Sequence, residues 1–245
     1  DGSEDEDEDE DEDEEDEEDD EDEEDESDTD KEVSDTDEDG SEDESVPVVA
    51  SKLRTARWPV AGAEVAVVTG GVAPSVKGVP GGAVAALRVS PDAVAVLRWL
   101  EEAAGGTELP RGPSLFVELG CGVGLLGLAC AALRPESQAV LTDIRAVLPC
   151  AERSIGANPK AIASRVAARK LRFGEAGAAR ALLEEFGAVE DGQPTRPVVA
   201  IGAAITYWEC VYEPLAETLA ELCGEGAQAI IGYFRRDWKV ERRFW

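Results

Sequence analysis

Residues 115–127 read LFVELGCGVGLLG, and this stretch decides the fold of the chain. The run LFVEL predicts a buried strand, and the glycine-rich turn after it leads into an apolar helical run. Gly120 and Gly122 let the backbone turn tightly and approach a ligand closely, whereas Gly124 lets the helix pack against the strand. The helix start also presents unpaired N–H groups. The segment therefore predicts a strand–turn–helix unit that binds a small molecule.

Short apolar runs alternate with helical patterns along the rest of the chain. The strand candidates are residues 115–119, 139–142, 165–171, 198–203 and 227–234, and the helical patterns begin near Val123, Val147, Ala176 and Tyr212. Strands that alternate with helices at this spacing form parallel sheets covered on both faces. We therefore predict a doubly wound α/β fold.

A further helix is predicted before this alternating region. Ser90 is a good N-cap, Pro91 fits the first helical position, and Asp92 lies where the helix dipole favours an acid. Upstream of this helix we expect a short strand at 64–68 and then a proline- and glycine-rich loop at 73–82.

The spacing of the acids around the turn indicates which nucleotide it binds. The second strand ends in Asp143, 23 residues beyond Gly120, where a carboxylate can accept hydrogen bonds from both ribose hydroxyls of an adenosine. Dinucleotide sites have the spacing G-x-G-x-x-G, but residues 118–124 read E-x-G-x-G-x-G. Glu118 suits a cationic sulfonium and its amino group better than a pyrophosphate, which it would repel.

Several motifs in this chain are similar to those of one enzyme family. The spacing E-x-G-x-G-x-G resembles the first motif of seven-stranded S-adenosylmethionine-dependent methyltransferases. The other matching segments are LTDI at 141–144, VLP at 147–149, Asn158, LRFG at 171–174, ITYWE at 205–209 and EPL at 213–215. From about residue 83 to its end, the chain resembles the small eukaryotic protein-lysine methyltransferases (methyltransferase family 16) that act on chaperones and translation elongation factors.

This resemblance implies a Rossmann-like seven-stranded fold and the transfer of a methyl group from S-adenosylmethionine to a protein lysine. The candidate cofactor-binding residues, from the motif and the resemblance together, are Glu118, Gly120, Cys121, Gly122, Gly124, Asp143, Phe173 and Ala203. Among them, Phe173 would replace a usual tryptophan beside the adenine, and Ala203 would line the site after the fourth strand.

Tyr207 and Glu209 are the candidate catalytic residues that follow from the resemblance. Tyr207 is expected to shape the channel for the amine. The family has an acid three residues before this tyrosine, but the chain has Ala204 there, so Glu209 is a candidate substitute acid. The family also has a tryptophan at the position of Ser90, so we expect one wall of the cofactor pocket to be thinner in this chain. It has a C-terminal β-hairpin as well, so we expect the domain to be truncated at its C-terminus.

The charge is concentrated at the N-terminus. Of the 55 acidic residues, 34 lie in residues 1–45 with one base, Lys31, which leaves 21 acids and 22 bases in the other 200 residues. We expect a disordered acidic tail at 1–45, an extension at 46–82 and the methyltransferase domain at 83–245. The tail is expected to attract basic proteins and to disfavour nucleic acid.

Composition also restricts the chemistry. The chain has no histidine and no pair of its five cysteines at CxxC spacing, so we expect no metal site and no histidine-based catalysis. It has no apolar run of about 20 residues, so we expect no membrane span and a cytoplasmic or nuclear location. Two alternatives stay open: a methyltransferase for another acceptor, and a non-catalytic cofactor-binding module that scaffolds basic proteins through the tail.

Overall fold

The computed structural model describes residues 51–72, 82–106, 108–206, 208–235 and 238–245. The elements are β1 (Ser51–Val60), β2 (Ala63–Gly71), α1 (Gly82–Ala85), α2 (Pro91–Ala104), β3 (Leu115–Leu119), α3 (Leu125–Leu133), β4 (Gln138–Asp143), α4 (Leu148–Gly156), α5 (Lys160–Ala163), β5 (Val166–Lys170), α6 (Ala178–Glu185), β6 (Val189–Glu190), β7 (Gln193–Pro194), β8 (Val198–Ala203), α7 (Tyr212–Gly224), β9 (Gln228–Gly232) and α8 (Trp238–Glu241). A short 3-10 turn at Glu209–Val211 precedes α7.

The central sheet has five parallel strands in the order β5-β4-β3-β8-β9. From β3 the chain builds outward through β4 to β5, and it then returns to place β8 on the other side of β3. The strand order therefore reverses between β3 and β8. In open parallel sheets, ligands bind outside the carboxyl ends of the strands at such a point. Within the described residues, five of the seven expected strands are present.

The sheet is covered on both faces, because successive side chains of a strand point to opposite sides. Phe116 of β3 packs in one core with residues of β1, β2, α2 and α3. Leu115, Val117 and Leu119 of the same strand pack in a second core with residues of α6 and α7. The predicted doubly wound α/β fold is confirmed.

An antiparallel hairpin, β1–β2, packs against α4 and α3 on the first face of the sheet. The side chain of Asn158, just after α4, accepts a hydrogen bond from the N–H of Ala66 at 2.9 Å. The same amide donates to the carbonyl oxygens of Ala66 and Ser154, each at 2.7 Å. Ser154 Oγ accepts from the N–H of Val68 at 3.0 Å. These polar contacts fix the hairpin on the helix.

The predicted secondary structure agrees with observed elements, but β1, the two-residue strands β6 and β7, and the four-residue helices α1 and α5 were not predicted. Each predicted strand overlaps an observed one, and Ser90 caps α2, since its Oγ accepts from the N–H of Ala93 at 3.1 Å. Strand β1 was not predicted, because most of its side chains are exposed and many are polar. The expected tail at 1–45 and most of the expected loop, at 73–81, lie outside the described residues. No helix of the described part is long and apolar enough to cross a membrane.

Candidate functional site

A cavity of about 520 Å³ lies at the carboxyl edge of the sheet, where the strand order reverses. Its walls come from the segments that follow β3, β4, β5 and β8, together with the connection between α1 and α2. The volume lies within the usual range of about 300–1,000 Å³ for small-molecule sites. This is also the place that the sheet topology indicates for a ligand.

The glycine-rich turn forms the floor of the cavity and has little spare room. Gly120 and Gly122 have φ values of +59° and +52°, which side-chain-bearing residues rarely adopt. A Cβ on Gly122 would lie 3.0 Å from the carbonyl oxygen of Ala86. A Cβ on Gly124 would lie 2.5 Å from Cδ1 of Leu141, which agrees with its predicted part in helix–strand packing.

Glu118 lies beneath the turn and is 4 % exposed. Its carboxylate accepts hydrogen bonds from the N–H groups of Leu126 and Gly127, at 3.2 and 2.8 Å, in the first turn of α3. Burial raises the pKa of Glu118 to about 8, although these two hydrogen bonds lower it. Glu118 lines the cavity as well, so it joins the helix start to the ligand site. Sequence analysis missed this capping contact.

Asp143 lies at the end of β4 and faces the turn from the side. Its Oδ2 accepts from the N–H of Gly122 at 2.9 Å, and its Oδ1 accepts from the N–H of Ile144 at 2.8 Å. Burial raises the pKa of Asp143 to about 6, against the effect of both hydrogen bonds. Because a carboxylate has about four acceptor positions, Asp143 keeps acceptor capacity for a ligand.

Three more of the candidate cofactor-binding residues line the cavity. Phe173 follows β5, and its ring lies 3.7 Å from where a Cβ of Gly120 would be. Cys121 is buried, which raises the pKa of its thiol well above the usual value and keeps the thiol protonated. Ala203 is the last residue of β8. Gly124, by contrast, is not among the lining residues.

The segment after β8 forms the opposite wall, with Ala204, Ile205, Trp208 and Val211. The N–H of Ala204 donates to the carbonyl oxygen of Gly232 at 3.2 Å, which ties this segment to β9. The φ of Ala204 is +56°, an uncommon value for alanine that aspartate and asparagine adopt more readily.

Of the two candidate catalytic residues, only Glu209 belongs to the part of the chain that the structure describes. Tyr207 lies outside the described residues. Glu209 does not line the cavity, and its Oε1 accepts from Nη1 of Arg243 at 3.0 Å in an exposed ion pair. Their catalytic roles therefore stay predictions.

The α1–α2 connection contributes a wall of the cavity that includes Ala86, Arg88 and Ser90. Sequence analysis expected a pocket wall at Ser90 but missed Ala86 and Arg88. Helix α1 has four residues, too few to show a helical period. The hairpin supports this wall from behind, because the N–H of Gly70 donates to the carbonyl oxygen of Leu87 at 3.0 Å. No local sequence signal indicates a contact between segments so far apart.

Comparisons with known proteins agree with this geometry. A family model described as lysine methyltransferase matches residues 81–245. The match includes every segment that lines the cavity and leaves out the hairpin. A search of curated proteins gives no match.

Proposed function

Because the chain belongs to the lysine methyltransferase family, we propose that its cavity binds S-adenosylmethionine beside the entry path of a protein lysine. The family transfers methyl groups from S-adenosylmethionine to lysine, so the chain is a methyltransferase with a protein substrate. The observation that carries the assignment of the site is the contact between Asp143 and the N–H of Gly122 at the floor of the cavity.

The cavity fits the cofactor in shape and in chemistry. The turn at Gly120 and Gly122 carries no side chains that could occupy the cavity, and Asp143 keeps acceptor positions for ribose hydroxyls. Phe173 offers an apolar ring for the adenine. Glu118, when ionised, favours a nearby cation over a pyrophosphate, which supports S-adenosylmethionine over a dinucleotide.

S-adenosylmethionine, when bound, supplies a methyl group on a sulfonium, which is a good leaving group. The protein then has to align a neutral amine with that methyl group and exclude water. Ile205 and Val211 give the opposite wall an apolar surface. An amine that is buried beside them has a lowered pKa, because burial disfavours its charged form. The neutral amine is the form that can attack.

The catalytic residues belong to this proposal. Trp208 lines the cavity and follows Tyr207 in sequence, which supports placing the amine channel on this side. At Ala204 the chain offers no carboxylate to orient the amine. Glu209 can take that role only if its side chain leaves Arg243. We infer that alignment and burial provide most of the catalysis.

We also propose the class of substrate. The resemblance to enzymes that act on chaperones and elongation factors supports a protein of this kind. The 34 acids of residues 1–45 support steering of basic proteins toward the enzyme. Removing residues 1–45 should slow the labelling of basic proteins. The difference should shrink near 1 M salt, where the screening length is about 3 Å.

The test is methyl transfer by the intact protein. The protein is incubated with labelled S-adenosylmethionine and a cell lysate, and the modified residue is identified by mass spectrometry. We expect label on lysine, less label in Asp143→Ala when the cofactor is not saturating, and unchanged label in Glu152→Ala, an exposed acid outside the cavity. Label on another kind of acceptor would contradict lysine as the target. Cofactor binding without transfer to any protein would favour the non-catalytic module.

A further inference from the structure

Arg88 is the one basic residue among the described residues that line the cavity. The acids there are Glu118 and Asp143, and backbone N–H groups already bind both carboxylates. The Arg88 side chain is exposed, and within the described parts of the chain its guanidinium makes no hydrogen bond or ion pair. A cation at the edge of a mainly apolar cavity suits an anionic group of the ligand.

The backbone around Arg88 is held in place from two directions. The N–H of Arg88 donates to the carbonyl oxygen of Ala85 at 3.2 Å, and the carbonyl oxygen of Leu87 accepts from the N–H of Gly70 at 3.0 Å. The side chain of Leu87 is buried and packs with Cys150. Arg88, which lines the cavity, is therefore carried by a fixed segment.

This segment also lies directly on the glycine-rich turn. Ala86, two residues before Arg88, has its carbonyl oxygen 3.0 Å from where a Cβ of Gly122 would be. Asp143 contacts Gly122 from the side of β4. The turn thus has the acid that suits a ribose on one flank and the segment that carries Arg88 on the other.

On the basis of the proposed function, we propose that Arg88 binds the carboxylate of the amino-acid portion of S-adenosylmethionine. With the ribose at Asp143 on one flank of the turn, an amino-acid portion that crosses the turn would meet the segment that carries Arg88 on the other flank. The carboxylate is the only anionic group of this cofactor. A guanidinium presents several donors in a planar fork that matches a carboxylate, which makes it a specific partner.

The test uses three ligands in calorimetry and needs no protein substrate. They are S-adenosylhomocysteine, its decarboxylated analogue, and methylthioadenosine, which lacks the whole amino-acid portion. Arg88→Gln should weaken binding of S-adenosylhomocysteine by about 10-fold and leave the other two ligands within about 2-fold of the natural protein. Arg88→Lys should recover part of the loss. Arg98→Gln, on the exposed side of α2 and outside the cavity, is the matched control and should change nothing.

Each contrary result has a distinct meaning. Unchanged affinity for S-adenosylhomocysteine in Arg88→Gln would overturn the proposal, as would an equal loss for all three ligands. An Arg88→Gln variant with normal cofactor affinity and a raised KM for the protein substrate would also overturn the proposal. Arg88 would then contact the protein substrate rather than the cofactor. If the natural protein bound none of the ligands, the proposed function itself would fail.

Discussion

Replacing Asp143 by alanine should weaken the binding of S-adenosylhomocysteine by about 10- to 100-fold. Each carboxylate oxygen already accepts one backbone N–H, from Gly122 or from Ile144, so about one lone pair on each remains for the two ribose hydroxyls. A hydrogen bond to a charged acceptor contributes about 1.5–3 kcal/mol, and Asp143 is only half-buried, so water replaces part of what is lost. The net loss of binding free energy is then about 1.4–2.8 kcal/mol, which corresponds to the expected 10- to 100-fold loss of affinity.

Calorimetry on the folded variants measures this loss. A ligand that lacks the ribose 2′-hydroxyl should bind the natural protein more weakly than S-adenosylhomocysteine does, and Asp143→Ala should bind the two ligands about equally. Glu152→Ala, an exposed acid on α4, should behave as the natural protein. A folded Asp143→Ala protein with unchanged affinity, or one that still distinguishes the two ligands, would refute the assignment of the ribose to Asp143.

Four other predictions concern the protonation of two acids, the packing of the hairpin, and the acceptor side of the cavity. Because the pKa of Asp143 is about 6 and its ionised form accepts from the ribose, affinity for S-adenosylhomocysteine should fall as the pH drops below about 6; a flat titration would contradict this. The pKa of Glu118 is about 8 and a sulfonium favours the ionised acid, so the affinity ratio of S-adenosylmethionine to S-adenosylhomocysteine should rise as the pH rises through about 8. Asn158→Ala removes three buried hydrogen bonds, two of them to Ala66. It should lower the free energy of unfolding, measured by denaturant titration, by about 3 kcal/mol. A loss below about 1 kcal/mol would show that the hairpin is held by apolar packing alone. Ala204→Asp should raise kcat on the identified substrate with little change in cofactor affinity. Ala204→Gly relieves only the positive φ and should leave kcat unchanged. An equal rise of kcat in both variants would assign the effect to the backbone.

Much of the fold could be predicted because its signals are local. The three inner strands of the parallel sheet, β4, β3 and β8, are short apolar runs, since both of their faces are buried. The start of α2 follows from Ser90 and Pro91, whose effects act within one helical turn. Strand β1 has no such signal, because its stability comes from pairing with β2 rather than from burial of its own side chains.

The candidate site could be predicted only in part. Gly120, Gly122 and Asp143 carry their chemistry in a fixed spacing, and the structure brings them together at the end of β3 and β4. Arg88 has no motif, and its place in the cavity follows from the support of Leu87 by Gly70 of the hairpin. The capping of α3 by Glu118 likewise depends on the angle at which the helix meets the strand.

The sequence by itself therefore determined the strand–turn–helix unit and the order of strands and helices along the chain. It also indicated an adenosine-containing cofactor, from Asp143 and the three glycines of the turn. These features depend on residue type and spacing over a few residues, which a single chain displays directly. The tertiary structure decided that Ala86 closes on Gly122, that Glu209 pairs with Arg243, and that Arg88 joins the cavity. The physical reason is that such contacts join residues far apart in the chain, and their geometry is set by how the layers pack rather than by any local preference.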